Sequence, residues 1–188
     1  MSNYYGSKHK KNSITLNKFM NNKQFMLILS VILLLLLFIK FRAFIVFIIV
    51  IALAAVLNYF IHVMDIHIHL GHVSFLAVIF SYKLGFWFGV ATVIIAHVFA
   101  EIFAGHLDKE MFITGSIYLI NCFLASIISA PIVSLGIGLT VFQAIATITL
   151  GLMTGTSIIE LITEDGVEFV MLIIYYLSFA VPLVKLIG

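Results

Sequence analysis

From residue 25 onward the chain is a succession of long apolar runs broken by short polar interruptions. The runs cover residues 25–39, 43–64, 66–82, 84–105, 111–131, 133–162 and 167–187. Each from residue 43 on is close to the roughly 20 apolar residues that one bilayer crossing takes. A transmembrane barrel would alternate polar and apolar positions in segments of about ten residues. These runs are continuously apolar, so their dense Ile and Val do not argue for strands. The pattern predicts an all-α integral membrane protein: a six-helix transmembrane bundle over 43–187, preceded by a short N-terminal apolar helix at 25–39. The 66–82 run is the most interrupted, because histidines open it. The 133–162 run is read as one long crossing, with Gly136 and Gly138 at its entry and Glu160 at its exit.

Composition narrows the class further. The 188 residues are 63% hydrophobic and only 10% charged, against about 45–50% and about 25% in soluble domains. A globule of this size could not hide so much apolar surface, which excludes a soluble enzyme and a nucleic-acid binder. The natural partner is the lipid bilayer. Residues 1–24 form a basic tail predicted to be disordered, with Lys8, Lys10, Lys11, Lys18 and Lys23 among Asn and Ser. The run at 25–39 is followed by Lys40 and Arg42 rather than a small-residue cleavage site, so it reads as retained rather than as a signal peptide. Cys122 is the only cysteine, which rules out an intrachain disulfide. Pro131 and Pro182 lie in apolar segments, where a membrane helix tolerates a kink.

Charge placement gives an orientation. If the six segments from residue 43 cross in turn, Lys40, Arg42, Lys83 and Lys185 all fall on one side, with no acid. The other side receives Asp65, Asp108, Glu110, Glu164, Asp165 and Glu168, with Lys109 its one base. Lys and Arg in short loops mark the cytoplasmic side, so the expectation is a multi-pass protein of the cytoplasmic membrane with those four bases inside. A crossing by 25–39 would carry the lysine-rich tail outside, against that rule. Fifteen residues also reach only about 22 Å of a hydrocarbon core about 30 Å thick. Two readings follow, a short seventh span or a helix lying at the inner interface, and the second fits the charges better.

Small residues recur at helical spacing. Gly85 and Gly89 stand four apart, Ala96, Ala100 and Ala104 continue down the same segment, and Gly151 and Gly155 form another pair. Such stripes let helix backbones approach closely in lipid. They serve either packing within the chain or docking of another membrane subunit.

Ionisable residues inside a membrane are costly and are functional candidates by default. His97 and Glu101 stand four apart and share a helix face. With the isolated amides Asn58 and Asn121 they form the candidate substrate-binding set. His67, His69, His72 and His106 cluster toward the acidic side as candidate metal ligands, and a transition-metal ion is the one cofactor these residue types suggest. The competing reading has those rings resting at the membrane interface. Gln143 is another isolated amide. Glu160, Glu164, Asp165 and Glu168 read as a solvated outer loop. No phosphate-binding loop, nucleophile elbow or zinc-protease motif occurs, so the chain is not expected to be an enzyme. Energy from ATP would have to come from a partner.

The core of six helices, with LAVIFSYKLGFWFGVATVIIAHVFAEIFAG at its centre, resembles the substrate-binding membrane subunits of energy-coupling factor transporters. Tyr82, Lys83, Leu84, Gly85, Phe86 and Gly89 occupy the place of the family's small-residue turn and Gly-rich helix pair. The resemblance implies a subunit that captures a vitamin or metal ion near the outer face. It implies two further partners, a transmembrane coupling protein and ATPases, with Gly85, Gly89, Ala96, Ala100 and Ala104 as docking residues. Small rod-shape-determining scaffold proteins have similar length and helix count. They are the alternative, which needs no ligand.

Overall fold

The structure is a computed structural model that describes residues 22–64, 69–105, 107 and 109–188. Among the described residues every regular element is helical. In chain order these are α1 (Asn22–Val63), α2 (His72–Leu84), α3 (Phe86–Ala104), α4 (Lys109–Ile127), α5 (Ile132–Met153), α6 (Ile158–Ser178) and α7 (Ala180–Ile187). The chain divides into two units after Phe41, where φ −106° and ψ 16° interrupt α1. In the first unit, residues 25–36 are helical and uniformly exposed. The second unit, residues 42–188, contains the packed core.

Four helices are long and apolar enough to cross a membrane: Phe41–Val63, Phe86–Ala104, Lys109–Ile127 and Ile132–Met153. A fifth is reached if Leu161–Ser178 and Ala180–Ile187, bent by 56°, are counted as one span. All six expected segments from residue 43 thus contain helix, but not all at spanning length. At 13 residues, α2 covers only about 20 Å. It is nonetheless buried almost end to end, from Val73 to Ser81. A helix apolar all round belongs in the middle of a bundle, and α2 is packed against α3, α4, α6 and α7.

The expected long crossing at 133–162 is two helices. Gly155 adopts φ +85°, a left-handed conformation natural to glycine after a helix end. The Thr156 amide donates to the Gly151 carbonyl at 3.0 Å, and the Gly155 amide to the Leu152 carbonyl at 3.2 Å. Together these bonds close α5. As a result α6 begins at Ile158 and runs through positions 163–166, in place of the expected solvated loop. Glu168 lies inside the protein at 5% exposure. The break before α7 has a simple cause. Pro182 has no amide hydrogen to continue the ladder and is tolerated in a first helical turn. Pro131 likewise stands just before α5 rather than within a span.

The core is built on close helix approach. A Cβ at Gly89 would collide with Ser81 Oγ and come 2.8 Å from the Ala77 carbonyl, so only glycine lets α3 lie this near α2. Gly71, at φ +66°, lies beneath α6, and a Cβ there would meet Leu172 at 2.8 Å. Phe47 stacks edge-on to Phe80 and Phe88, and Phe75 to Tyr176. Polarity is distributed opposite to that of a soluble protein. Asn58, Ser74, His97, Glu101, Asn121, Gln143 and Glu168 are buried, whereas Trp87 and Phe103 are 76% and 78% exposed. Apolar groups outside and polar groups satisfying one another within are compatible with a multi-pass membrane protein.

Candidate functional site

Each of α1 to α6 sends a polar side chain into this core, and the side chains fall into two clusters. The first joins α1, α3 and α4. His97 lies in a π-helical turn, Ile94–Phe99, within α3. Such turns insert one extra residue and often occur at functional sites. The His97 Nδ1 lies 2.6 Å from Glu101 Oε1, one turn further on. Its Nε2 lies 3.1 Å from the Met111 carbonyl oxygen on α4. Gly115 makes room for this ring, since a Cβ there would be 3.3 Å from His97 Cδ2. His62 completes the cluster from the end of α1. Its Nε2 lies 3.4 Å from the same Glu101 Oε1, and its Nδ1 lies 2.8 Å from the Asn58 carbonyl oxygen.

Asn58 lies on the α1 face that carries Ala54 and His62, one turn before and one turn after it. His72 reaches that face at Ala54, with Nε2 3.4 Å from its carbonyl. The Asn58 side-chain nitrogen Nδ2 is buried and has no partner among the described residues. The His72 Nδ1 is likewise unpartnered. An amide donor buried without an acceptor costs about 1–3 kcal/mol, so this α1 face holds unused hydrogen-bonding capacity one turn before His62.

The second cluster joins α2, α4, α5 and α6. Ser74 Oγ donates to Gln143 Oε1 at 2.7 Å, and Asn121 Nδ2 donates to the same oxygen at 2.9 Å. Gln143 Nε2 then donates to Glu168 Oε1 at 2.9 Å, and Tyr118 OH donates to it at 2.8 Å. All four bonds run toward Glu168. A cavity of only about 10 Å³ adjoins Gln143, Asp165 and Glu168, room for about one water molecule. The two clusters meet where the His97 and Tyr118 rings lie 5.2 Å apart.

Of the expected substrate-binding residues, the structure therefore brings together His97 and Glu101 and adds His62, whose ring also meets the Asn58 backbone carbonyl. Asn121 belongs to the other cluster. Of the expected metal ligands, His67 and His106 lie outside the described residues, while His69 and His72 are half-buried. Among the described residues no group of three or more His, Cys, Asp or Glu side chains is arranged to hold a metal ion. Gly89, Ala96 and Ala100 are buried within this chain, whereas Gly85 and Ala104 are half-buried. Tyr118 and Glu168 are not among the site residues that the sequence suggests. For Glu168 a signal is available: Gly155 as a helix stop, then Ser157 with Glu160 three residues on, the pattern of a helix start. Tyr118 carries no comparable signal.

The first cluster lies where α1 and α3 finish and α4 begins, whereas Asn121, Gln143 and Glu168 of the second lie about midway along α4, α5 and α6. Arg42, Lys83 and Lys185 lie at the opposite helix ends. No known protein family, curated protein or solved structure matches this chain.

Proposed function

We propose that this chain is the membrane-embedded, substrate-capturing subunit of a small-molecule uptake system, with six crossings from residue 43 and its site toward the outer face. The observation that carries the reading is the buried Asn58 amide, without a partner among the described residues, on the helix face that carries the half-buried His62, which meets the buried Glu101 and His97. These groups offer hydrogen-bond donors and acceptors in a place where leaving them empty is costly. The base-bearing helix ends would face the cytoplasm by the positive-inside rule, which leaves the polar core open to capture from outside. The captured solute would be a small molecule of the vitamin class or a metal ion. A transmembrane coupling protein and ATPases would supply the energy, and the subunit itself would carry out no catalysis.

Native mass spectrometry of the detergent-purified full-length chain tests this. The expected result is a bound small molecule that is lost in both His97→Ala and Glu101→Ala while the proteins remain folded. A wild-type chain that emerges empty, or variants that keep the same occupant, would remove the reading. Co-purification with cell-envelope assembly proteins and no solute would support the scaffold alternative instead.

A further inference from the structure

At the base-bearing helix ends the surface holds two adjoining cavities that neither polar cluster uses. The first, of about 440 Å³, lies between the end of α2 and the turn joining α4 to α5, with Tyr82, Ser126, Ser129 and Pro131 in its wall. Because α4 ends and α5 begins here, the last carbonyls of one helix and the first amides of the other lack intrahelical partners. The second cavity, of about 430 Å³, shares Ile128 and Ala130 with the first and follows α5 past Leu135, Gly138 and Leu139. Gly138 keeps it open, since a Cβ there would meet nothing within 4 Å. Its one hydroxyl, that of Ser134, already donates to the Pro131 carbonyl at 2.9 Å. Both volumes fall within the range of about 300–1,000 Å³ typical of small-molecule sites. A polar chamber at the helix ends that continues into an apolar groove along a helix has the layout of a lipid, headgroup first and chain after.

We propose that these cavities seat one anionic phospholipid of the leaflet on the base-bearing side, with its headgroup in the first cavity and an acyl chain in the second. The sign of the headgroup follows from the surrounding charge. Lys83 comes directly after Tyr82 and is exposed, Arg42 and Lys185 are exposed at the same helix ends, and no acid lines either cavity. Bases beside the membrane surface and basic sites between spanning helices attract anionic headgroups. A phosphoglycerol headgroup also matches the hydrogen-bonding groups. Its phosphate oxygens accept from the Tyr82 and Ser129 hydroxyls and the first α5 amides, and its hydroxyls donate to the last α4 carbonyls. A choline headgroup has no donor for those carbonyls and adds a positive charge beside Lys83. The inference uses only the reading of these helices as membrane-spanning. Solute capture at Glu101, where α3 finishes, stands or falls without it.

Native mass spectrometry of the full-length chain in detergent tests it, with phosphatidylglycerol and phosphatidylcholine of identical acyl chains as the added probes. The wild type should retain one phosphatidylglycerol in preference to phosphatidylcholine by about fivefold or more, the effect of one base near a membrane surface. Lys83→Gln should remove that preference. Gly138→Leu fills the groove and should abolish the phosphatidylglycerol adduct, whereas Thr149→Leu, further along α5 and outside the groove, should keep it. If Gly138→Leu lowers the melting temperature, Ser134→Leu obstructs the same groove and should cause the same loss. Glycerol 3-phosphate, a headgroup without chains, should leave no adduct. Equal retention of the two lipids by the wild type, or a preference unchanged by Lys83→Gln, would overturn the inference. So would an undiminished adduct in the groove variants, its loss in Thr149→Leu, or a glycerol 3-phosphate adduct as strong as the lipid's.

Discussion

The two buried polar clusters are made of similar parts and differ in how completely those parts are matched. Around Glu168, four hydrogen bonds in one direction tie α2, α4, α5 and α6 together, and the Asn121 Oδ1 acceptor is left over. Around Glu101, one carboxylate oxygen serves two imidazoles, and the neighbouring Asn58 donor has no partner among the described residues. A satisfied network in a membrane protein holds helices in register. One with spare donors and ionisable groups is a place where something else can bind. The same bundle thus holds a matched polar cluster and an incompletely matched one, which meet where the His97 and Tyr118 rings lie 5.2 Å apart.

Four substitutions would break or sharpen that contrast, in order of expected effect. Glu101→Ala removes the acceptor shared by both histidines. Its occupancy by co-purified solute, read by native mass spectrometry, should fall about tenfold or more, the scale of one charge-assisted hydrogen bond. Glu168→Ala should act on stability instead. It strands the Tyr118 hydroxyl and the Gln143 amide, and should cost about 2–4 kcal/mol by thermal unfolding in detergent. Retention of bound solute by the fraction that remains folded would separate the clusters, and an unchanged melting temperature would contradict the structural role. Gly155→Ala places a side chain at φ +85° and should destabilise by about 1 kcal/mol, because that turn ends α5 and lets α6 carry Glu168 inward. Asn58→Ala should change stability least, by under about 1 kcal/mol and toward greater stability, since a buried unpaired donor is removed. It should still reduce solute occupancy. A large loss of stability would mean that the amide has a structural partner.

Parts of this arrangement are legible in the chain. The four-residue spacing of His97 and Glu101 is enough by itself to put them on one helix face, and they do pair. Asn58 is conspicuous as an amide in an apolar run, but its neighbour His62 only gains significance once α1 and α3 are placed together. Asn121 and Gln143 look isolated in sequence, yet they share a hydrogen bond across 22 positions. The clustering of acids around Glu168 suggests a solvated loop. The helix stop at Gly155 and the start at Ser157 move that acidic stretch into α6, and helix periodicity then turns Glu168 inward. The small-residue stripe illustrates the converse. Its spacing is plain in sequence, but whether it meets a neighbour within the chain or outside is not. Gly89 is occupied by α2 and α4, through Ser81, Ala77 and Cys122.

The sequence by itself determined the class, since apolar runs with few charges must satisfy their backbone internally in lipid, and the helix is how a single segment does so. It also determined the sorting of bases from acids along the chain, because that sorting is a property of linear order. Only the tertiary structure decided which polar groups meet. Each residue turns a helix by about 100°, so a partner depends on rotation and depth that no single run encodes. Those were set by contacts between runs: Gly89 against Ser81, Gly71 beneath Leu172, and Gly115 opening space for His97.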